Sequence, residues 1–374
     1  MAFSFGFSGD DIDLDDSEIN NGVAEAAVAQ NSASNALPEL VKASKHDMNE
    51  WLSILPSQIS FNRLAISGTP IVIARREIFD IRAQLMAEDN ENYDNAELIA
   101  GLEEGDLKPN FYEGGFKTWE CSLDLAKVVT GDSAIMGSLG DSQEDFHVIE
   151  LGAGTAVPSV TLFAHILSQT TSAEGIPPQR KIHFTFADYN SAVLRLVTLP
   201  NLLLTWQNSR LRLATEAPGD QEAPQVQEDE ELLDITPELV ENFKSDLVRR
   251  GISIDFISGA WSAEFVDLVF STRSSGDPRV LVLASETIYS PATLTAFSET
   301  LLALLRHSTP TSVRTHALVA AKKVYFGVGG GVDEFLAVLK NVCADELEVQ
   351  QRVDVQSEGV GRVVLEITPS AGTA

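Results

Sequence analysis

The chain has 374 residues, enough for one large α/β domain with appendages, and 44% of them are hydrophobic, an ordinary content for a globular core. Lys and Arg number 26 against 55 Asp and Glu, a net charge of −29 that argues against direct binding to nucleic acid or an anionic membrane and suits either a basic partner or plain solubility. Only Cys121 and Cys343 are present, far apart, and the six histidines lack ligand spacing, so neither a disulfide framework nor a metal site is expected.

The segment Met1 to Phe7 has no basic region and no long apolar run, so it does not read as a secretory signal. No apolar stretch approaches the roughly 18 residues that would span a bilayer. A soluble, intracellular protein is expected. Residues 8 to 44 are rich in Asp, Asn, Ser and Ala, with no Lys or Arg before Lys42. Asp10, Asp11, Asp13, Asp15, Asp16 and Glu18 repel one another, and few large apolar groups offset the entropy of ordering. Residues 1–59 are therefore expected to be a mostly disordered acidic tail. Phe3, Phe5 and Phe7 alternate like a strand and read either as a docking motif or as sticky residues of that tail.

Residues 60–110 read as an N-terminal cap segment. Ile71-Val72-Ile73 forms a strand, and Ile78, Ile81, Leu85 and Met86 share one face of a helix starting near Arg75. Residues 88 to 110 form a polar connection. The paired glycines of Tyr112-Glu113-Gly114-Gly115-Phe116-Lys117-Thr118-Trp119 mark a tight loop that enters a helix at Glu120-Cys121-Ser122-Leu123.

The centre of the chain is Val148-Ile149-Glu150-Leu151-Gly152-Ala153-Gly154-Thr155-Ala156-Val157-Pro158, a buried strand that turns sharply into a helix. A dinucleotide turn would carry a third glycine where Val157 stands, and a P-loop would carry a lysine that is absent here. A tight turn without a ligand would show the same two glycines. A second strand, Ile182 to Ala187, ends in Asp188-Tyr189-Asn190, where a carboxylate either binds a ribose or caps the next helix. Residues 216–234 form an acidic insertion. Strands over 252–257, 280–284 and 317–321 follow, and 346–353 with 362–367 reads as a closing pair. Seven strands result, parallel where helices intervene and antiparallel at the finish.

Together these blocks resemble the eukaryotic protein-histidine N-methyltransferases, a seven-strand family that modifies a histidine of a large-subunit ribosomal protein. The resemblance rests on the opening Phe3-Ser4-Phe5-Gly6-Phe7 with its acidic tail, Arg76-Glu77-Ile78-Phe79-Asp80, the 112–122 loop, the glycine turn, Asp188 to Thr198, Ser258-Gly259-Ala260-Trp261, Ser285-Glu286-Thr287-Ile288-Tyr289, and Ala321-Lys322 through Tyr325-Phe326-Gly327-Val328-Gly329-Gly330. It covers roughly residues 60 to 370.

The resemblance implies a Rossmann-like seven-stranded methyltransferase sheet, mostly parallel, in a domain spanning 111–370, with S-adenosylmethionine as cofactor. It implies cofactor contacts from Trp119, Glu120, Cys121, Ser122, Leu123, Glu150, Gly152, Gly154, Asp188, Tyr189, Asn190, Gly259, Trp261 and Ser285. Glu286 and Tyr289 are the candidates for orienting a target imidazole. The partner it implies is a basic protein, a large-subunit ribosomal protein, in the cytoplasm and nucleus. A lysine methyltransferase of the same fold and a non-catalytic binder of a basic ribosomal protein are the competing readings.

Overall fold

The computed structural model describes residues 41–88, 96–103, 114–140, 144–169, 180–215, 230–272, 278–307, 315–356 and 359–370. The three phenylalanines, the acidic run that follows them, Tyr112, Glu113 and residues 216–229 of the expected insertion lie outside these. The strands are β1 (Ser44–His46), β2 (Gln58–Ala65), β3 (Val72–Arg76), β4 (Phe146–Leu151), β5 (Ile182–Asp188), β6 (Glu231–Asp234), β7 (Ile252–Ser258), β8 (Arg279–Ser285), β9 (Thr315–Lys322), β10 (Leu347–Val355) and β11 (Arg362–Pro369). The helices are α1 (Met48–Ser53), α2 (Ile78–Glu88), α3 (Ala96–Glu103), α4 (Glu120–Gly131), α5 (Ser133–Gly140), α6 (Val157–Ser168), α7 (Ser191–Val193), α8 (Leu199–Thr215), α9 (Pro237–Arg249), α10 (Ala263–Val269), α11 (Leu294–Arg306) and α12 (Val332–Cys343), with a π-helical turn over Leu194–Thr198.

The main sheet has the order β1-β7-β5-β4-β8-β9-β11-β10. Strands β7, β5, β4, β8 and β9 run parallel, β11 runs antiparallel to β9, and β10 antiparallel to β11. These are the seven strands read from the sequence. Every residue of β4 is buried, as a strand covered by helices on both faces requires. Alternation along the strands divides two cores. Val148, Leu281 and Leu283 pack with α4, α6 and α8, whereas Ile149, Val280 and Val282 pack with α10, α11 and α12. Burying one such Leu or Ile side chain stabilises by about 1.5–3 kcal/mol.

The described chain departs from the expected tail at residue 41. Strand β1 pairs antiparallel with β7 as an eighth strand, and Trp51 and Leu52 of α1 enter the core. The pairing holds Ser44-Lys45-His46 through backbone bonds and through the Lys45–Asp255 contact at 2.6 Å, neither of which leaves a hydrophobic pattern in the sequence. Two further segments differ from their sequence reading. The connection over 88 to 110 contains α3, whose Leu98, Ile99 and Leu102 pack beside Ile81, Leu85 and Phe116. The end of the insertion forms β6, which completes a second sheet of order β3-β2-β6.

That second sheet is bonded to the helix following β5. The backbone N–H of Ala74 donates to Thr205 Oγ1 at 3.0 Å, and that of Arg76 to Asn201 Oδ1 at 2.8 Å. The described residues belong to one compact unit.

Pro200 explains the π-helical turn in that helix. A proline has no N–H to offer the carbonyl four residues back and its ring collides with it, so a wider turn is favoured just upstream. Leu199 N–H accordingly reaches back to Leu194 O. The carbonyl left without its usual donor is that of Leu196, and the buried guanidinium of Arg76 donates to it from Nη1 at 2.9 Å.

Candidate active site

The glycine turn leaves β4 at the carboxyl edge of the sheet. Gly152, Gly154 and Ala156 adopt positive φ of 62°, 52° and 55°, which reverses the chain into α6 within five residues. A Cβ at Gly152 would lie 2.6 Å from Thr287 Cγ2, so glycine is required there for the close approach of the segment after β8. Below the turn, Glu150 is 1% exposed and its Oε2 accepts Ser159 N–H at 3.1 Å. Burial pushes its carboxyl up to about 8, against the opposing pull of the Ser159 hydrogen bonds.

Asp188, at the end of β5, braces the same turn. Its Oδ2 accepts Gly154 N–H and its Oδ1 accepts Asn190 N–H, both at 3.0 Å. A carboxylate has about four acceptor positions, so ribose hydroxyls can still be accommodated. On the other side, Thr198 Oγ1 donates to Gly154 O at 2.7 Å and Asn201 Nδ2 to Thr155 O at 3.0 Å. Thr198 is the last residue of the π-helical turn, which thereby connects Pro200 to the placement of the glycines.

A second cluster lies past the end of β8. Ser285 closes the strand beside Ala320 of β9, and Glu286 follows in the left-handed region with φ 57°. The Cys121 thiol and the Tyr325 phenol lie against the Glu286 carboxylate, and burial first and this carboxylate second push both groups well up from their ordinary values. Glu286 N–H is tied to Ala320 O at 3.0 Å, and the Tyr325 hydroxyl accepts Lys322 N–H at 3.2 Å. Lys322 Nζ is 3.2 Å from Glu120, 3.9 Å from Glu286 and 4.9 Å from the centre of the Trp119 ring. Burial would raise the Glu120 carboxyl, but its own backbone N–H and Lys322 hold it below the ordinary value.

The residues singled out in the sequence thus fall into two groups. Trp119, Glu120, Cys121, Ser285 and Glu286 meet at one cluster, and Glu150, Gly152, Gly154, Asp188 and Asn190 meet at the turn; Tyr189 follows Asp188 directly in the chain. The others make different contacts. The Ser122 hydroxyl donates to Trp119 O at 2.7 Å within the first turn of α4, and Leu123 packs against the core. Gly259 makes room for the N-terminal strand, since a Cβ there would lie 2.6 Å from Lys42 O. Trp261 meets Phe265 and Phe297 edge-on. Tyr289 accepts Gly330 N–H through its carbonyl at 2.9 Å and sets its ring edge-on to Tyr325.

Three residues gain a role from the geometry alone: Thr287, Lys322 and Tyr325. Each sits in a block that carries the family resemblance, but no spacing rule places β9 beside Glu286. Thr287 Oγ1, Glu286 Oε1 and Asn190 Nδ2 are buried without a hydrogen-bond partner, all just past the carboxyl ends of β5 and β8. Buried polar atoms are almost always paired, so three orphans at one edge of the sheet fit a polar ligand there. One donor, one acceptor and one hydroxyl suit the amino-acid and ribose groups of a nucleoside-linked methionine, and open parallel sheets bind ligands at this edge.

No family model matches the chain. The chain is 33% identical over 386 residues to histidine protein methyltransferase 1 of Saccharomyces cerevisiae, covering 98% of each chain. It is 33% identical over 367 residues to histidine protein methyltransferase 1 of Schizosaccharomyces pombe, covering 97% of this chain and 92% of that one. A histidine protein methyltransferase 1 homolog of Rattus norvegicus is 32% identical over 263 residues, 70% of this chain and 59% of its own. Among solved structures, magnesium protoporphyrin IX methyltransferase from Synechocystis PCC 6803 aligns with 78% of this chain and 100% of its own at a TM-score of 0.35 and 11% identity.

Proposed function

The chain belongs to the histidine protein methyltransferase 1 family, S-adenosylmethionine-dependent enzymes that methylate protein histidine, and we propose that its substrate is a basic large-subunit ribosomal protein met in the cytoplasm or nucleus. The charge of −29 supports a basic substrate, because an acidic body raises the rate of encounter with one. Direct nucleic-acid contact and membrane attachment form no part of this reading.

When bound, the cofactor supplies an electrophilic methyl group on a sulfonium. The glycine turn with Asp188, Asn190 and Thr287 would hold it, and Trp119 would close the side facing α4. A neutral imidazole is already nucleophilic, so the remaining task is alignment and exclusion of water, worth up to roughly 7–11 kcal/mol when the geometry is ideal.

Glu286 carries this reading. Its Oε1 is buried with no hydrogen-bond partner and with Lys322 Nζ 3.9 Å away, and Cys121 and Tyr325 lie against the same carboxylate. In the proposed role, Oε1 accepts the N–H of the target ring. That contact selects the tautomer whose other nitrogen has a free lone pair, and the same oxygen receives the ring proton once the imidazole becomes cationic.

The test is transfer of labelled methyl from S-adenosylmethionine to large-subunit ribosomal proteins, followed by acid hydrolysis of the product. Methylhistidine is expected. Methyllysine, or no incorporation, overturns the assignment.

A further inference from the structure

The loop from Lys322 to Gly331, between β9 and α12, has an outward face that the chemistry above does not use. Residues 324–332 contain no charged side chain, although the chain as a whole is strongly acidic. Phe326 is 77% exposed, and Val324 and Val328 beside it are exposed as well.

This apolar display is held in place. Val324 bridges to Gly331, Tyr325 N–H donates to Gly330 O at 3.1 Å, and Gly329 N–H donates to Tyr325 O at 3.1 Å. The loop also lies directly on the segment that carries Glu286. A Cβ at Gly330 would stand 2.3 Å from Tyr289 O, and Gly330 N–H donates to that oxygen. Adjacent residues therefore serve opposite faces: Tyr325 points inward to Glu286 and Phe326 points to solvent.

The neighbouring lysines have their charges matched. Lys322 pairs with Glu120, and Lys323 pairs with Asp354 at 2.8 Å. What the loop offers a partner is thus apolar area rather than charge. An exposed aromatic at the rim of a site is the kind of group that dominates binding energy once a partner covers it.

We propose that the 322–331 loop is the substrate-reading element, with Phe326 packing against apolar residues that flank the target histidine in the substrate polypeptide, Val324 and Val328 extending that contact, and Tyr325 as a positioning residue for Glu286. The proposal rests on the histidine-methyltransferase reading above. It separates two tasks: the acidic body speeds the approach of a basic protein, and the loop selects the register of the chain that enters.

The test compares the full chain with its Phe326→Ser and Phe326→Leu variants on large-subunit ribosomal proteins purified from cells that lack the enzyme, at saturating S-adenosylmethionine. For Phe326→Ser the apparent KM for protein should rise about ten-fold. kcat should stay within about two-fold, with calorimetric cofactor affinity and the thermal midpoint unchanged, and Phe326→Leu should restore most of the KM. An unchanged KM for Phe326→Ser overturns the proposal. So does a wild-type dimer in light scattering that Phe326→Ser dissociates, because the face would then belong to a second copy. If the unsubstituted chain forms no methylhistidine, the functional reading itself has failed, and that result is visible without any variant.

Discussion

Glu150 accepts the backbone N–H of Ser159 at 3.1 Å, so a carboxyl inside the parallel sheet closes the first turn of the helix that follows it. Burial holds this carboxyl at about 8 in the folded chain, against an ordinary 4.5. Between those values the unfolded chain releases the proton and the folded chain keeps it. Stability is therefore intact below about pH 4.5 and is lost as pH rises toward 8. Glu150→Gln keeps the acceptor and abolishes the titration. The variant should gain about 3 kcal/mol at pH 7 and converge with the parent near pH 4. Urea denaturation at pH 4, 5.5 and 7 measures this, and parallel pH profiles would contradict it.

Glu286 holds a left-handed backbone conformation that costs a residue with a Cβ of order 1 kcal/mol. Glu286→Gly should relieve that strain at the cost of its contacts with Cys121, Tyr325 and Lys322, while removing the group proposed to orient the imidazole. A fall in methyl transfer of about 100-fold or more at saturating cofactor is expected. A rate near that of the parent would remove Glu286 from the mechanism.

Asp188 and Gly152 test the cofactor turn from two sides. Asp188→Ala leaves Gly154 N–H and Asn190 N–H without an acceptor, a loss of about 1–3 kcal/mol in stability as well as cofactor contact. Gly152→Arg places a side chain where Thr287 already stands. Calorimetry with S-adenosylmethionine should show binding weakened at least ten-fold in both; unchanged affinity in both would move the site elsewhere.

Gly259 has a different expectation. Gly259→Ala would drive a methyl group into Lys42 O and Ala43, and its φ of 116° disfavours any Cβ. Strand β1 should detach, with hydrogen exchange at residues 44 to 46 accelerating well before the parallel strands are affected. If cofactor affinity falls while β1 exchange stays slow, Gly259 contacts the ligand instead.

The parallel strands were legible because helices cover both of their faces, which leaves continuous apolar runs such as Val148-Ile149 and Val280 to Ala284. Strands β1 and β6 were not, since Ser44-Lys45-His46 and Glu231-Leu232-Leu233-Asp234 become strands only through pairing with distant partners. The site divides in the same way. Glu286 stands in a block that can be read linearly, but Lys322 and Tyr325 reach it only because β8 and β9 are neighbours in the sheet. Pro200 was the one local sign of the π-helical turn, and its meaning depends on Arg76, more than a hundred residues earlier.

That pairing ties the N-terminal segment to the helix behind the glycines. Pro200 deprives Leu196 O of its helical donor and Arg76 supplies a replacement, while Asn201 and Thr205 are bonded to the same strand, β3. A version trimmed to residues 111–370 would keep every strand of the parallel sheet. It would lack the groups that complete the helix behind the glycines, and the first thing to loosen would be the floor of the cofactor turn.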